Sequence, residues 1–328
     1  RRPGRHRPDR LRAGSDGFVK RLRVAVVGAG PMGRLHARTV ARSAARDGAC
    51  VLTAIVDRHR ARAASLAAEF GGEAVDALAR LREVDVAIVA VPTGAHVDTA
   101  LRLLEAGLDV LVEKPLALDV ARGEPLVVRA EALGRILQVG HVEWYNPLWR
   151  DALERAGRPS AIRVERLQPA SERGLDVDVV QDLMLHDLDW VTRSLAEEVV
   201  SFEARGASRD GGALDVARAE LRFRSGCVAS LRASRVHATR RRWLAIEGSR
   251  ARVEVDLLVA SPAVSDPASL DPLAIQWRGF VEAVSKRTRP ENDGRVGLAA
   301  LDWVERVRER IRASGTGEIG ADDSLLGG

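Results

Sequence analysis

Lys114 stands between Glu113 and Pro115 at the end of an apolar run, and far downstream Asp182 and His186 lie four positions apart. An amine and an imidazole suit the removal of a proton from an alcohol near neutral pH. Lysine is scarce, occurring only at Lys20, Lys114 and Lys286 among 51 basic residues. Arginine serves elsewhere, so Lys114 is a candidate for work a permanently protonated guanidinium cannot do. Asp182 and His186 share one face of a helix. A plain surface ion pair would also use that spacing, but His186 as a proton handler is the preferred reading. A metal would need a third ligand, and the spacing nominates none.

A second pattern supplies a partner for that chemistry. The apolar run Leu22–Val27 feeds Gly28-Ala29-Gly30-Pro31-Met32-Gly33 and then a helical pattern over 34–45. In this GxGxxG the glycines give a tight turn, close approach to a pyrophosphate and close helix–strand packing. The helix N-terminus that follows favours phosphate. A second buried strand at 51–56 ends in Asp57, 24 positions after Gly33, where a carboxylate can accept hydrogen bonds from an adenosine ribose. Asp57 repels a 2′-phosphate and so favours NAD over NADP, while Arg58 and Arg60 soften that preference.

These residues need a scaffold. Strands at 85–91, 109–112 and 135–139 alternate with helices at about 95–106 and 119–133, which predicts a doubly wound parallel α/β sheet. Pro92, Thr93, His96, Glu113, Lys114, Gly140 and His141 all fall at the carboxyl edge of that sheet, where ligands bind. Beyond His141, strands at 161–167, 199–204, 213–223, 227–236, 243–247 and 251–255 alternate apolar and polar residues. That pattern predicts an α+β domain with an open, mainly antiparallel sheet. Helices at about 180–195, 275–285 and 298–312 complete it. The expected organisation is a basic tail at 1–20, a Rossmann domain at 21–140, a substrate and oligomerisation domain at 141–315, and a C-terminal tail at 316–328.

The GAGPMG turn, Asp57, Val91-Pro92-Thr93 with His96, Glu113-Lys114-Pro115, Gly140-His141 and the run from Asp182 to Asp187 together resemble the glucose–fructose oxidoreductase/inositol dehydrogenase/MocA family. The resemblance implies a catalytic or relay lysine at Lys114, a partner acid/base at His186, and Asp182 positioning substrate or tuning His186. It implies cofactor contacts from Gly28, Gly30, Pro31, Met32, Gly33, Asp57, Arg58, Pro92, Thr93, His96, Glu113 and Lys114. Gly140-His141-Val142-Glu143-Trp144-Tyr145-Asn146-Pro147 is similar to the UDP-N-acetylglucosamine 3-dehydrogenase-like branch, with Trp144 and Tyr145 replacing that branch's Arg and Phe. Substrate contacts from His141, Tyr145 and Asn146, beside Lys114, Asp182 and His186, are implied on that likeness. Tyr145 is the one tyrosine available for an acid/base role.

The implied reaction is NAD-dependent oxidation of a secondary hydroxyl, that of C3 in a UDP-N-acetylhexosamine, to a ketone that a downstream aminotransferase would consume. A dehydrogenase of free sugars or inositols is the alternative reading, and a non-catalytic NAD-binding sensor a third. For a diphosphate, Arg163, Arg166 and Arg173 are available cations. Family members pair through the open sheet face, so a homodimer or homotetramer is implied.

Charge and cysteine usage exclude other classes. The 328 residues carry a formal charge of +5, yet residues 1–20 alone hold seven basic groups against Asp9 and Asp16. The body is therefore neutral, and no nucleic-acid face is expected. Two cysteines, no CxxC and no long apolar run point to a cytoplasmic protein without a membrane segment.

Overall fold

The computed structural model describes residues 21–170, 177–258, 271–315 and 317–318. The basic segment 1–20, Arg173 and residues 259–270 lie outside the described residues, as does most of the segment expected as a C-terminal tail.

The first half alternates β1 (Leu22–Val27), α1 (Pro31–Asp47), β2 (Cys50–Val56), α2 (Arg60–Phe70), β3 (Glu73–Val75), β4 (Val86–Val89), α3 (His96–Glu105), β5 (Asp109–Val112), α4 (Val120–Ala132) and β6 (Leu137–Val139). The six strands are all parallel, in the order β3-β2-β1-β4-β5-β6. Continuous Val/Ile/Leu/Ala runs in β1, β4 and β5 are what a sheet covered on both faces requires. The order reverses between β1 and β4, and at such a switch point loops part to leave a crevice at the carboxyl edge. The structure adds α2 and β3, which the alternation expected from sequence does not include.

The second half runs α5 (Pro147–Ala156), β7 (Pro159–Leu167), a π-type turn Val180–Met184 leading into α6 (Leu185–Leu195), β8 (Val199–Ser208), β9 (Val216–Phe223), β10 (Val228–Ser234), β11 (Arg241–Gly248) and β12 (Arg252–Asp256). Helices α7 (Pro272–Lys286) and α8 (Gly294–Ser314) follow, then the short strand β13 (Gly317–Glu318). The sheet order is β12-β11-β7-β10-β9-β8-β13, antiparallel except where β7 meets β10 and β8 meets β13. Part of the expected C-terminal tail is thus an edge strand.

The two halves share their cores. Trp277 and Phe280 of α7 are buried with Val24, Val26 and Val40 of the first sheet and its helix, and Leu301 and Val304 of α8 join the cluster containing Val112 and Val139. The last helices therefore return to the Rossmann sheet, and the relative placement of the domains is fixed by apolar burial rather than by a linker alone.

Candidate active site

The ends of β1 and β2, the segments that follow β4 and β5, and the start of α1 surround a cleft of about 940 Å³. Gly28, Gly30, Pro31, Met32, Asp57, Arg58, Pro92, Thr93, His96, Glu113 and Lys114 line it, and Asp182 closes it from the second domain. Gly33 lies beneath the turn instead. A Cβ there would collide with the Gly28 carbonyl, and one on Gly28, whose φ is +104°, would collide with the Ala90 carbonyl. A Cβ on Gly30 would meet nothing within 4 Å, so the backbone at the helix start stays open to the cleft. Two glycines compress the turn and the third leaves room, which is what a pyrophosphate against a helix N-terminus needs.

Asp57 is held at the rim. Its carboxylate accepts the Ala29 N–H at 2.9 Å and the His59 N–H at 2.8 Å. Arg58, His59 and Arg62 surround the same end. The residues present fit a dinucleotide.

At the other end, Lys114 donates to the Asp182 carboxylate and to the Asp182 carbonyl, both at 2.8 Å. The peptide from Lys114 to Pro115 is cis. His96 fixes this loop, its ring bonding the carbonyls of Pro115 at 2.8 Å and Val91 at 2.9 Å. Glu113 is buried against His36 of α1, with 2.6 Å between Oε1 and Nε2. Burial works to raise the Glu113 pKa, but the hydrogen bond and charge of His36, with Lys114 and His96, hold it below its ordinary value. His36 is a site-supporting residue that sequence reasoning missed. Nothing local marks it, because its partner lies 77 positions away.

Asp182 sits in the π-type turn, a distortion often found at functional positions. It pairs with Lys114, and not with His186 as the plain surface ion pair would require. The same turn is tied to the first domain by Gln181, whose amide donates to the carbonyls of Ala117 and Leu118 at 3.0 and 2.9 Å. Arg308 of α8 braces it further, reaching Asp178 at 2.6 Å and Gln181 at 2.9 Å.

His186 is largely enclosed, with its Nδ1 buried and without a hydrogen-bond partner among the described residues. Burial, and then the positive charges of Lys114 and Arg166, hold its pKa well below 6.5, so it is a neutral imidazole. His141 is fully buried, and both ring nitrogens lack hydrogen bonds, although Asp189 stands 3.8 Å from Nδ1. Burial lowers its pKa too.

Tyr145 and Asn146 fall elsewhere. Tyr145 is buried beside Gly279 and lines a separate pocket of about 530 Å³ against α7. Burial raises its hydroxyl pKa far above the ordinary range. Asn146 caps α5, accepting the Leu148 N–H at 3.1 Å while its amide donates to Glu143 at 3.0 Å. The Asn-Pro pair is a helix-start signal, and its asparagine is occupied there.

Below His186 lies a buried charge network also missed from sequence. Arg166 grips Asp187 through Nε and Nη2, the latter at 2.7 Å, and reaches Glu143 at 3.0 Å. Although burial opposes it, the charges of Arg166 and Arg242 and the Asn146 amide hold Glu143 at a pKa of about 2. Arg166 is thus committed to two carboxylates, and Arg163 is half-exposed and paired with Glu247. Neither stands free for a diphosphate.

The description of the oxidoreductase family with an NAD-binding Rossmann fold, GFO/IDH/MocA, matches residues 22–141, and that family's C-terminal domain matches 127–254. The chain is similar to the UDP-N-acetylglucosamine 3-dehydrogenase of Acidithiobacillus ferrooxidans, 31% identical over 89% of this chain and 98% of the relative. It is also similar to the myo-inositol dehydrogenase Hyg17 of Streptomyces leeuwenhoekii, 34% identical over 65% of this chain and 70% of the relative. A solved structure of the Acidithiobacillus ferrooxidans enzyme superposes with a TM-score of 0.78 at 30% identity, covering 89% of this chain and 98% of that one.

Proposed function

This chain belongs to the GFO/IDH/MocA family of oxidoreductases, NAD-dependent enzymes acting on CH–OH groups, and we propose that it oxidises the 3-hydroxyl of a UDP-N-acetylhexosamine to the ketone. One observation carries the reading. Lys114, at the edge of the dinucleotide cleft, is bound to Asp182 of the second domain, so reactive groups of both domains meet at one point.

Gly28, Gly30, Asp57 and the other residues lining the cleft would hold NAD, which would supply the hydride acceptor. The protein's own work is binding and proton handling. An ammonium has three donors, and Lys114 spends two on Asp182, which leaves one for a substrate hydroxyl. A hydroxyl fixed there is oriented by a charge-assisted hydrogen bond. His186, kept neutral by its surroundings, is the group able to accept the hydroxyl proton. Glu113, pinned by His36, holds the loop that aims Lys114. The buried Arg166–Asp187 pair fixes the helix that carries His186.

The choice of substrate rests on the likeness to the Acidithiobacillus ferrooxidans enzyme across 98% of its length. Similarity to Hyg17 favours a second reading, oxidation of a free inositol. NADH formation with UDP-N-acetylglucosamine, its uronate, UDP-glucose, myo-inositol and glucose separates the two. Turnover of the UDP-N-acetylhexosamine, with a C3 ketone identified by NMR, is expected. Turnover of myo-inositol alone would replace this reading with the second.

A further inference from the structure

The buried network beneath His186 contains a second cation, Arg242, that is only loosely paired. Arg242 follows Arg241 at the start of β11 and lies opposite Arg166 in the antiparallel register of β11 with β7. It stands at the end of the sheet where β7 stops at Leu167 and β10 at Ser234. On β11 it shares a face with Leu244 and Ile246, which are buried in the core cluster containing Leu185 and Leu188 of α6. Arg166, its cross-strand neighbour, holds Asp187, the residue that follows His186 on α6.

Among the described residues, the carboxylates that act on Arg242, Glu143 and Asp187, already have other partners. Glu143 gives one oxygen to Arg166 at 3.0 Å and the other to Asn146 and Trp149 at 3.0 and 3.2 Å. Asp187 is gripped by Arg166. Arg242 comes second to Glu143, at 3.5 Å, and among the described residues that ion pair is the only one its side chain makes. About a third of the side chain, 31%, remains exposed. Burial lowers its pKa, and the repulsion of Arg166 outweighs the attraction of Glu143. A guanidinium in a site that disfavours its charge, with donors unspent, is set to receive an anion.

We propose that Arg242 binds an anionic oxygen of the substrate beside His186, a phosphate of a nucleoside diphosphate or the carboxylate of a uronate. It is a specificity residue, because a neutral polyol would leave the cation unmatched while an anionic sugar derivative would satisfy it. The phosphate form of the inference rests on the sugar-nucleotide reading above, and the carboxylate form does not.

The test uses the full chain loaded with NADH and titrated calorimetrically with UDP and, separately, with glucuronate, neither of which requires turnover. Arg242→Gln removes the charge, and Arg242→Met does so while keeping the apolar stem, in case the first variant folds poorly. Affinity for at least one probe should fall about 10- to 100-fold in the variants, the scale of a lost charge-assisted hydrogen bond, with NADH affinity unchanged. Loss confined to UDP identifies a phosphate site, and loss confined to glucuronate a carboxylate site. Absence of binding of both probes to the unmodified protein, or equal binding to the variants, overturns the proposal. If myo-inositol proved the only compound oxidised while UDP binding still depended on Arg242, the sugar-nucleotide reading would fall and the anion site would stand.

Discussion

The Lys114 amine lies 2.8 Å from the Asp182 carboxylate, and the two residues come from different domains, 68 positions apart. Neither domain holds the reactive amine by itself. The Rossmann loop carries it, and the π-type turn of the second domain receives it, with Gln181 and Arg308 bracing that turn. Small shifts of one domain against the other would therefore be felt at Lys114.

Replacing Lys114 by Arg keeps a positive charge near Asp182 but substitutes a planar fork for a compact amine. On the substrate that the enzyme turns over, kcat should fall about 10²- to 10⁴-fold, with NAD affinity nearly unchanged. Steady-state kinetics and an NADH titration measure the two separately. Full activity of this variant would show that only the charge matters.

Asp182→Asn tests the other partner. The amide keeps the shape and loses the charge, so the Lys114 hydrogen bond weakens by the scale of a charged bond becoming neutral. A fall in kcat of about 10- to 100-fold is expected, again without a change in NAD affinity. Equal loss of NAD binding would mean that the pair holds the domains together rather than aiming the amine.

Acid should destabilise this protein through its buried imidazoles. His141 and His186 both have folded-state pKa values below 6.5, with burial the leading cause. Between 6.5 and those depressed values the unfolded chain binds more protons than the folded one. Stability from these groups is therefore complete above about pH 6.5 and is lost as pH falls below it. Melting temperature should decline on that side, and His186→Gln should flatten the decline. An identical pH slope in the variant and the unmodified protein would remove His186 from the account.

Much of this was open to reading from sequence because it is local. The run Leu22–Val27, the glycine turn and Asp57 follow one another along the chain, and each element has a pattern of its own. Strand β3 was not, since three residues, Glu73 exposed among them, carry no periodicity that separates them from a loop. The functional pairs were hidden for a different reason. His36 with Glu113, Arg166 with Asp187 and Lys114 with Asp182 are made by folding, and no spacing announces them. The spacing of Asp182 and His186 puts both on one helical stretch but carries no sign that Asp182 pairs with Lys114. Tyr145 and Asn146 do not line the cleft of Lys114, since a motif position can be filled by a side chain that closes a core or caps a helix.

The final prediction concerns cofactor choice. Asp57 ends β2 with both carboxylate oxygens bonded to backbone N–H groups, of Ala29 and His59, so its charge is fixed at the adenosine end of the cleft rather than swinging in solvent. A 2′-phosphate entering there would meet that charge, while a free ribose hydroxyl could donate to it. Arg58 and Arg62 line the same end and supply cations that a 2′-phosphate would use once the carboxylate is gone. In Asp57→Ala, NAD should bind more weakly and NADP more strongly, narrowing the ratio of their affinities by about tenfold or more. Fluorescence titration with NADH and NADPH gives both constants without substrate. Equal affinities for the two cofactors in the unmodified protein would show that the arginines already cancel Asp57, and the carboxylate would then have no part in selecting NAD.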